Sequence, residues 1–264
     1  MSDAALVARM TLYGLKGLHR NSRVLIFTIV FPVLLLVLFA SVFGDESDTI
    51  EIGSATVPVD AYFTAGITAY AIMASAFSTL AIGLTSQRES GQLKRLRGTP
   101  LPSWAFITAQ IVRAVALVAA MTIVLFLIGY LAYDVEVTGE GVAGIVVSVV
   151  LATAAFAALG VALTVVTPTA EAASTIAPFA GVLLGFISGV WIPVDQLPDW
   201  LVEVGRVFPL AHLAESLQRA VADPSLGTGL TGENVAVLAA WGIAGLIVAA
   251  RGFRWEPRWA WGSA

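Results

Sequence analysis

Residues 87–102 read QRESGQLKRLRGTPLP and form a polar, basic segment between two long apolar runs. Four of the fourteen Lys and Arg residues of the chain lie here within ten positions: Arg88, Lys94, Arg95 and Arg97. Membrane proteins concentrate Lys and Arg in short loops on the cytoplasmic side of the bilayer. Because such a loop often contacts a soluble protein, the segment suggests a membrane protein that works with a partner.

The composition of the whole chain is that of a protein with several membrane spans. Of its 264 residues, 58% are hydrophobic and only 12% are charged, and its mean hydropathy is +0.88. Soluble domains contain roughly 25% charged residues. The chain has no Cys, which excludes disulfides and thiolate metal sites. The N-terminal segment is amphipathic and basic, unlike a cleavable signal peptide.

Six apolar runs are long enough to cross a bilayer, which takes about 20 mostly apolar residues. They comprise residues 24–43, 61–84, 104–133, 142–166, 170–191 and 235–250. Arg113 lies about two turns into the third run. We expect its side chain to reach the cytoplasmic interface, because a charge at mid-membrane costs about 2.5–3.5 kcal/mol.

The distribution of charge divides the predicted loops into two groups. If six spans alternate in direction, the N-terminal segment, the loop 85–102 and the C-terminal tail lie on one side, and these regions hold most of the Lys and Arg residues. The loops on the opposite side are mainly acidic. The positive-inside rule therefore predicts that the loop 85–102 and both termini are cytoplasmic.

Two further segments are predicted to be helical without spanning the bilayer. Residues 4–21 form a basic amphipathic helix that would lie in the headgroup plane. The external segment 192–232 contains two short helices, 198–207 and 210–221, and we expect them to re-enter the outer leaflet and cap the bundle. The apolar stripe of the second helix consists of Leu210, Leu213, Leu217 and Val221. The predicted fold is an all-α, six-span membrane protein with a single transmembrane domain over residues 1–264.

Residues 86–97 of the basic segment are predicted to form about three helical turns, because Gly98 follows them as a helix stop signal. The residues of its two faces are Arg88, Gln92 and Arg95 on the basic face, and Glu89, Leu93 and Leu96 on the other. The two leucines indicate either docking to a partner or packing onto the membrane bundle. The sequence leaves both open.

Small and polar residues inside the predicted spans are candidates for contacts between helices or with a transported molecule. They are Ser75, Ser78 and Thr79 in the second span and Gly181, Gly185 and Gly189 in the fifth. Close helix packing is the favoured interpretation. The alternative places the glycine face and Phe186 at a subunit seam beside a transport path. No Asp, Glu or Lys lies in the middle of a span, which argues against a carrier driven by protons or sodium.

Eight residues of the basic segment follow the pattern R-E-x-G-x-L-x-R-L-x-x-T-P, namely Arg88, Glu89, Gly91, Leu93, Arg95, Leu96, Thr99 and Pro100. The pattern resembles the loop between spans two and three of type-2 ATP-binding-cassette (ABC) permeases, including drug exporters of the daunorubicin-resistance type. The external segment is similar to the re-entrant helices of that family at Pro193, Leu197, Pro198, Trp200, Leu201 and Phe208-Pro209-Leu210. The resemblance covers nearly the whole chain.

The resemblance implies a permease subunit of an ABC exporter that moves a hydrophobic or amphipathic, drug-like or lipid-like substrate outward. Its location would be the cytoplasmic membrane of a prokaryote. Such permeases pair with a second permease, here expected to be a copy of the same chain, and with two copies of a separate ATPase subunit that binds ATP and Mg.

The resemblance also assigns roles to residues. The eight residues of the loop pattern would couple the permease to the ATPase. The translocation path or dimer seam would include Ser75, Ser78, Thr79, Gly181, Gly185, Phe186 and Gly189. The chain has no G-x-x-x-x-G-K-[ST] phosphate loop of its own. We expect it to contact membrane lipid and no nucleic acid, and to hold no cofactor, metal or catalytic residue.

Three other functions stay open at this point. A permease of this family could instead export a polysaccharide or a lipid-linked glycan. A secondary carrier would use an ion gradient. An intramembrane enzyme would need a base, for which His212 is a candidate besides the carboxylates, although the chain has no G-x-S-x-G motif.

Overall fold

The computed structural model describes residues 3–20, 22–43, 49–52, 55–98, 103–222, 226–253 and 255. In this part of the chain, the fold is helical apart from one short β-hairpin. Five helical segments are long and apolar enough to cross a membrane: Val59–Glu89, Ala105–Tyr133, Gly139–Val166, Ala170–Ile187 and Gly232–Gly252. They confirm the second to sixth predicted spans as apolar helices, with ends that differ by a few residues.

The N-terminal part of the chain contains two helices, α1 (Asp3–Arg20) and α2 (Ser22–Phe43). Helix α1 coincides with the predicted amphipathic helix, and it packs along the third predicted span. Helix α2 coincides with the first predicted span, but its described apolar stretch, Ile29–Phe43, is shorter than a full span. The count of six spans therefore stays a prediction, as does the position of α1 in the headgroup plane.

The second span is irregular and lies at the centre of the bundle. It consists of α3 (Val59–Met73), one π-helical turn (Ala74–Ser78) and α4 (Thr79–Glu89). Nearly every residue of α3 is buried. A Cβ atom on Gly160 would lie 2.6 Å from the carbonyl oxygen of Phe77, so only glycine lets the neighbouring helix approach the π-helical turn this closely.

The third, fourth and fifth predicted spans pack against this central segment, and the sixth packs against the fourth. They are α6 (Ser103–Tyr133), α7 (Gly139–Val166), α8 (Ala170–Ile187) and α11 (Gly232–Gly252), with the short α5 (Gln92–Arg97) before α6. Helices α7 and α11 form the most extensive pair. A Cβ atom on Gly245 would lie 2.9 Å from the backbone nitrogen of Leu159, and such small residues are what allow membrane helices to pack closely.

One end of the bundle, here the hairpin end, carries the β-hairpin and two short helices. Strands β1 (Thr49–Ile52) and β2 (Ala55–Pro58) pair antiparallel, with Ile50 opposite Val57 and both side chains buried. The sequence does not predict this hairpin, because each strand has only four residues and the first follows an acidic loop. We use the name loop end for the opposite end, which carries α5.

The two short helices that the sequence predicts after the fifth span lie close to their predicted positions. They are α9 (Asp199–Gly205) and α10 (Pro209–Ala222). The predicted apolar stripe of α10 is buried, and the helix packs against α3, α7 and α11. Burial of the stripe confirms that α10 covers the bundle, while its depth in a bilayer stays a prediction.

Candidate functional site

The basic segment is not one helix. Helix α4 continues the second span as far as Glu89, the chain turns at Ser90 and Gly91, and α5 begins at Gln92. Gly91 has a φ angle of 70°, a left-handed conformation that glycine adopts without the steric cost other residues incur. The predicted continuous helix 86–97 is therefore wrong, and Arg88 does not share a face with Gln92 and Arg95. Thr99 and Pro100 lie outside the described residues.

Arg88 is buried inside the protein, with 3% of its surface exposed. Its guanidinium Nη1 donates to the carbonyl oxygen of Thr164 at 2.7 Å, and Nη2 donates to the carbonyls of Thr167 and Pro168. The last carbonyls of a helix have no partner within the helix, and a cation there is favoured by the helix dipole. Arg88, on the second span, therefore caps the C-terminal end of α7.

Glu89 makes the complementary contact with the next helix. Its Oε2 accepts a hydrogen bond from the backbone nitrogen of Ala170, the first residue of α8, at 2.8 Å. A carboxylate at a helix N-terminus is stabilised by the unpaired N–H groups and the dipole. The Thr169 hydroxyl caps the same end by accepting from the backbone nitrogen of Ala172 at 3.2 Å. The Arg88–Glu89 pair thus binds the two helix ends on either side of the turn between α7 and α8.

Helix α5 is anchored to the loop end by its leucines. Leu93 is fully buried in a cluster with Leu84 and Phe106, and Leu96 packs against the same cluster. The cluster also includes partly buried side chains from α1, α7 and the segment after α11: Met10, Val161, Phe253 and Trp255. The structure thereby shows that these two leucines pack onto the bundle.

The outward surface of α5 is polar and basic. Gln92, Lys94 and Arg95 are exposed, and Arg95 Nη2 donates to the carbonyl oxygen of Ser90 at 3.3 Å. Of these three residues, Arg95 belongs to the loop pattern. A soluble protein could contact this surface, whereas Arg88 and Leu93 are buried.

A cavity of about 810 Å³ lies between α2, the irregular second span, α6 and α8. Four of the predicted path residues line it: Ser75, Ser78, Thr79 and Gly181. Ser75 and Ser78 belong to the π-helical turn. The sequence does not predict this turn, because no residue type marks a π-helical turn within an apolar run.

The other two glycines of the fifth predicted span pack within the chain. Gly185 lies directly against the indole of Trp191. Gly189 has a φ angle of 70° and follows the end of α8, where its carbonyl oxygen accepts a hydrogen bond from the Tyr62 hydroxyl at 2.6 Å. The structure therefore places both glycines in close intrachain contacts, which is the favoured interpretation of the glycine spacing. Phe186 is 46% exposed.

His212 links α10 to α11 and to the end of α9. It is buried on α10, with Nδ1 2.8 Å from Asn234 Oδ1 on α11 and Nε2 2.7 Å from the carbonyl oxygen of Arg206. Both ring nitrogens are engaged by protein groups. The ring therefore has no nitrogen directed at a substrate, and its geometry is that of a structural residue.

These features define a multi-pass helical membrane protein whose polar loop segment is joined to the turn between the fourth and fifth predicted spans. The sequence pattern of the ABC-2 type transporter family matches residues 6–221, and the chain belongs to this family. It is also similar to a protein of Bacillus subtilis (strain 168) named as a transport permease, YvfS, with 22% identity over 233 residues. That alignment covers 88% of this chain and 91% of YvfS.

Proposed function

We propose that this ABC transporter permease is the membrane subunit of an ATP-driven exporter for hydrophobic or amphipathic, drug-like or lipid-like molecules. Two copies of a separate ATPase subunit would supply the energy, and a second copy of the chain would complete a homodimer. Both termini and α5 would face the cytoplasm of a prokaryotic cell. ATP and Mg would be held by the ATPase.

The contact of the Arg88–Glu89 pair with the turn between α7 and α8 carries this proposal. The ATPase would bind the exposed surface of α5 at Gln92, Lys94 and Arg95. Because α5 is anchored by buried leucines and continues from α4 through a two-residue turn, movement of α5 would move α4 with it. The Arg88–Glu89 pair would pass that movement to the ends of α7 and α8.

The movement of α4 and α8 would also change the cavity through which a substrate could pass. Ser78 and Thr79 form one wall of the cavity, and Pro178, Gly181 and Val182 on α8 form another. Because α2 and α6 supply the other walls, movement of α4 and α8 relative to these two helices would change the width of the cavity and its access to either side. The exposed Phe186 on α8 would lie at the seam with the second permease, next to this moving wall.

The proposed function is tested by transport in inside-out vesicles that contain the permease and its ATPase subunit. We expect ATP-dependent accumulation of a fluorescent amphipathic dye, because outward export in the cell is inward movement in these vesicles. Accumulation should vanish without the ATPase and persist when ionophores collapse the ion gradients.

Dependence on the ion gradient in vesicles that lack the ATPase would contradict the proposal and identify a secondary carrier.

A charge reversal on α5, Lys94→Glu together with Arg95→Glu, should reduce co-purification of the ATPase. The matched control is Glu203→Gln on α9, whose exposed side chain lies at the hairpin end.

A further inference from the structure

We propose that the cavity binds an anionic amphiphile, with a phosphate or carboxylate head held by Arg113 and an apolar chain along Phe31, Met73 and Val182. This inference rests on the proposed function and names the substrate class of the same cavity. Neither the loop pattern nor the family assigns this selectivity, which follows from the charge and lining of the cavity.

The lining of the cavity is apolar along most of its length. Phe31 and Pro32 of α2, Met73 and Ile82 of the second span, and Val182 of α8 supply apolar walls. Among the described residues that line it, Arg113 on α6 is the only charged one. Gln87, close to the Arg88–Glu89 pair, lines the cavity as well and marks its loop end.

None of the described residues supplies Arg113 with a counter-ion. Its side chain lies against α1, where a Cβ atom on Gly14 would come within 3.0 Å of Arg113 Cδ and 3.5 Å of Nη1. In the part of the chain that the structure describes, the guanidinium makes no hydrogen bond and no ion pair. One turn earlier on α6, Gln110 Nε2 donates to Gln87 Oε1 at 3.4 Å, so these two amides bind each other.

A half-buried guanidinium beside apolar walls selects for the charge of a ligand. Removing a cation from water is costly unless an anion and hydrogen-bond acceptors compensate it. The planar fork of Arg matches the oxygens of phosphate and carboxylate groups. A cationic amphiphile of the same chain length would fill the same apolar walls but would place like charges together, which disfavours it.

The size of the cavity limits the ligand. Pockets for drug-sized molecules have volumes of about 300–1,000 Å³, and this cavity has about 810 Å³. The cavity therefore fits a drug-sized amphiphile or one alkyl chain. Because its charged group lies at the loop end, the head of the ligand would be at the cytoplasmic side under the proposed orientation, where a substrate for outward transport would enter.

The test measures binding to the purified full-length permease in phosphatidylcholine nanodiscs, without the ATPase. The probes are radiolabelled dodecyl phosphate and dodecyltrimethylammonium, which share an alkyl chain and differ in head charge, with empty nanodiscs as the measure of partitioning. We expect wild-type permease to bind dodecyl phosphate at least about tenfold more tightly, as one charge-assisted contact of about 1.5–3 kcal/mol predicts. Inorganic phosphate alone should not displace it.

Three variants test whether the guanidinium of Arg113 causes the preference for the anionic head group. Arg113→Gln should weaken dodecyl phosphate binding by at least about tenfold and leave dodecyltrimethylammonium binding unchanged or stronger. Arg113→Lys should retain part of the preference, since it keeps the charge and loses the fork. Arg206→Gln, which removes an exposed guanidinium at the hairpin end, should bind both probes as wild type does.

Three results would overturn the inference. They are equal affinity of the wild type for the two heads, undiminished binding of dodecyl phosphate by Arg113→Gln, and displacement by inorganic phosphate alone. If Arg113→Gln does not fold, the affinities of the wild-type permease for the two probes still test the inference. Because no ATPase is present, failure here leaves the proposed ATP-driven export untouched, and failure of ATP-driven export leaves this binding result untouched.

Discussion

At the scale of single residues, the loop pattern places Arg88 and Glu89 beside a membrane span, but it does not predict which residues their side chains contact. The sequence identifies both as polar residues of a loop beside the membrane. It does not show that the second span continues to Glu89, which brings both side chains against a turn about 80 residues further along the chain. Contacts of this sequence separation leave no periodic signal in one sequence.

The capping role of Arg88 predicts a loss of stability when the guanidinium is removed. Arg88→Gln leaves up to three carbonyls without their donor, and we expect a destabilisation of about 1.5–3 kcal/mol. Thermal unfolding of the purified permease measures the effect. Arg95→Gln is the matched control, since its guanidinium is exposed and should contribute less than about 1 kcal/mol. Equal unfolding midpoints for Arg88→Gln and the wild type would contradict the capping role.

At the scale of elements, hydrophobicity and length predict five of the helices well, and the irregular parts are where prediction fails. The ends of α6, α7, α8 and α11 lie within a few residues of the predicted runs, because loops at membrane boundaries change composition sharply. The break at Gly91 and the π-helical turn depend on packing against other helices. One sequence does not encode such packing in any local pattern.

The close packing of α7 against the π-helical turn predicts that a larger residue at position 160 lowers the stability of the protein. In Gly160→Ala the new methyl group would meet the carbonyl oxygen of Phe77 at 2.6 Å, and such overpacking costs about 1–3 kcal/mol. Gly83→Ala on α4 is the matched control, because a Cβ atom there meets nothing within 4 Å. It should stabilise the helix by up to about 1 kcal/mol. Thermal unfolding compares the two, and equal stability of both variants would show that α7 does not pack tightly here.

At the scale of the whole molecule, the sequence predicts the family, the helical architecture and the side on which the basic loop lies. It does not reveal that the cavity is bordered by both α4 and α8, nor which members of the glycine face reach it. Gly181 does so, whereas Gly185 contacts Trp191. Gly181 and Gly185 differ because different helices pack against them. The spacing of residues in one sequence does not determine which helices are neighbours.

The proposed homodimer predicts which α8 positions meet across the seam. The chain contains no Cys, so single cysteines report contacts without background. Phe186→Cys should form a disulfide-linked dimer under mild oxidation, because the side chain is exposed on α8. Gly185→Cys should not, since Trp191 fills that position. Cross-linking at the equally apolar Ile243 of α11, with none at Phe186, would place the seam elsewhere.

The central claim is that the Arg88–Glu89 pair transmits ATPase movement to α8, and the most direct test is the number of substrate molecules moved per ATP hydrolysed. The assay uses proteoliposomes that contain the permease carrying Arg88→Gln and Glu89→Gln together with its ATPase, with Glu203→Gln as control. We predict that the ATPase stays bound and hydrolyses ATP, because the exposed surface of α5 is intact. Transport per ATP should fall about 5–150-fold, the factor that corresponds to typical coupling free energies of about 1–3 kcal/mol. An unchanged ratio with the ATPase still bound would contradict the claim.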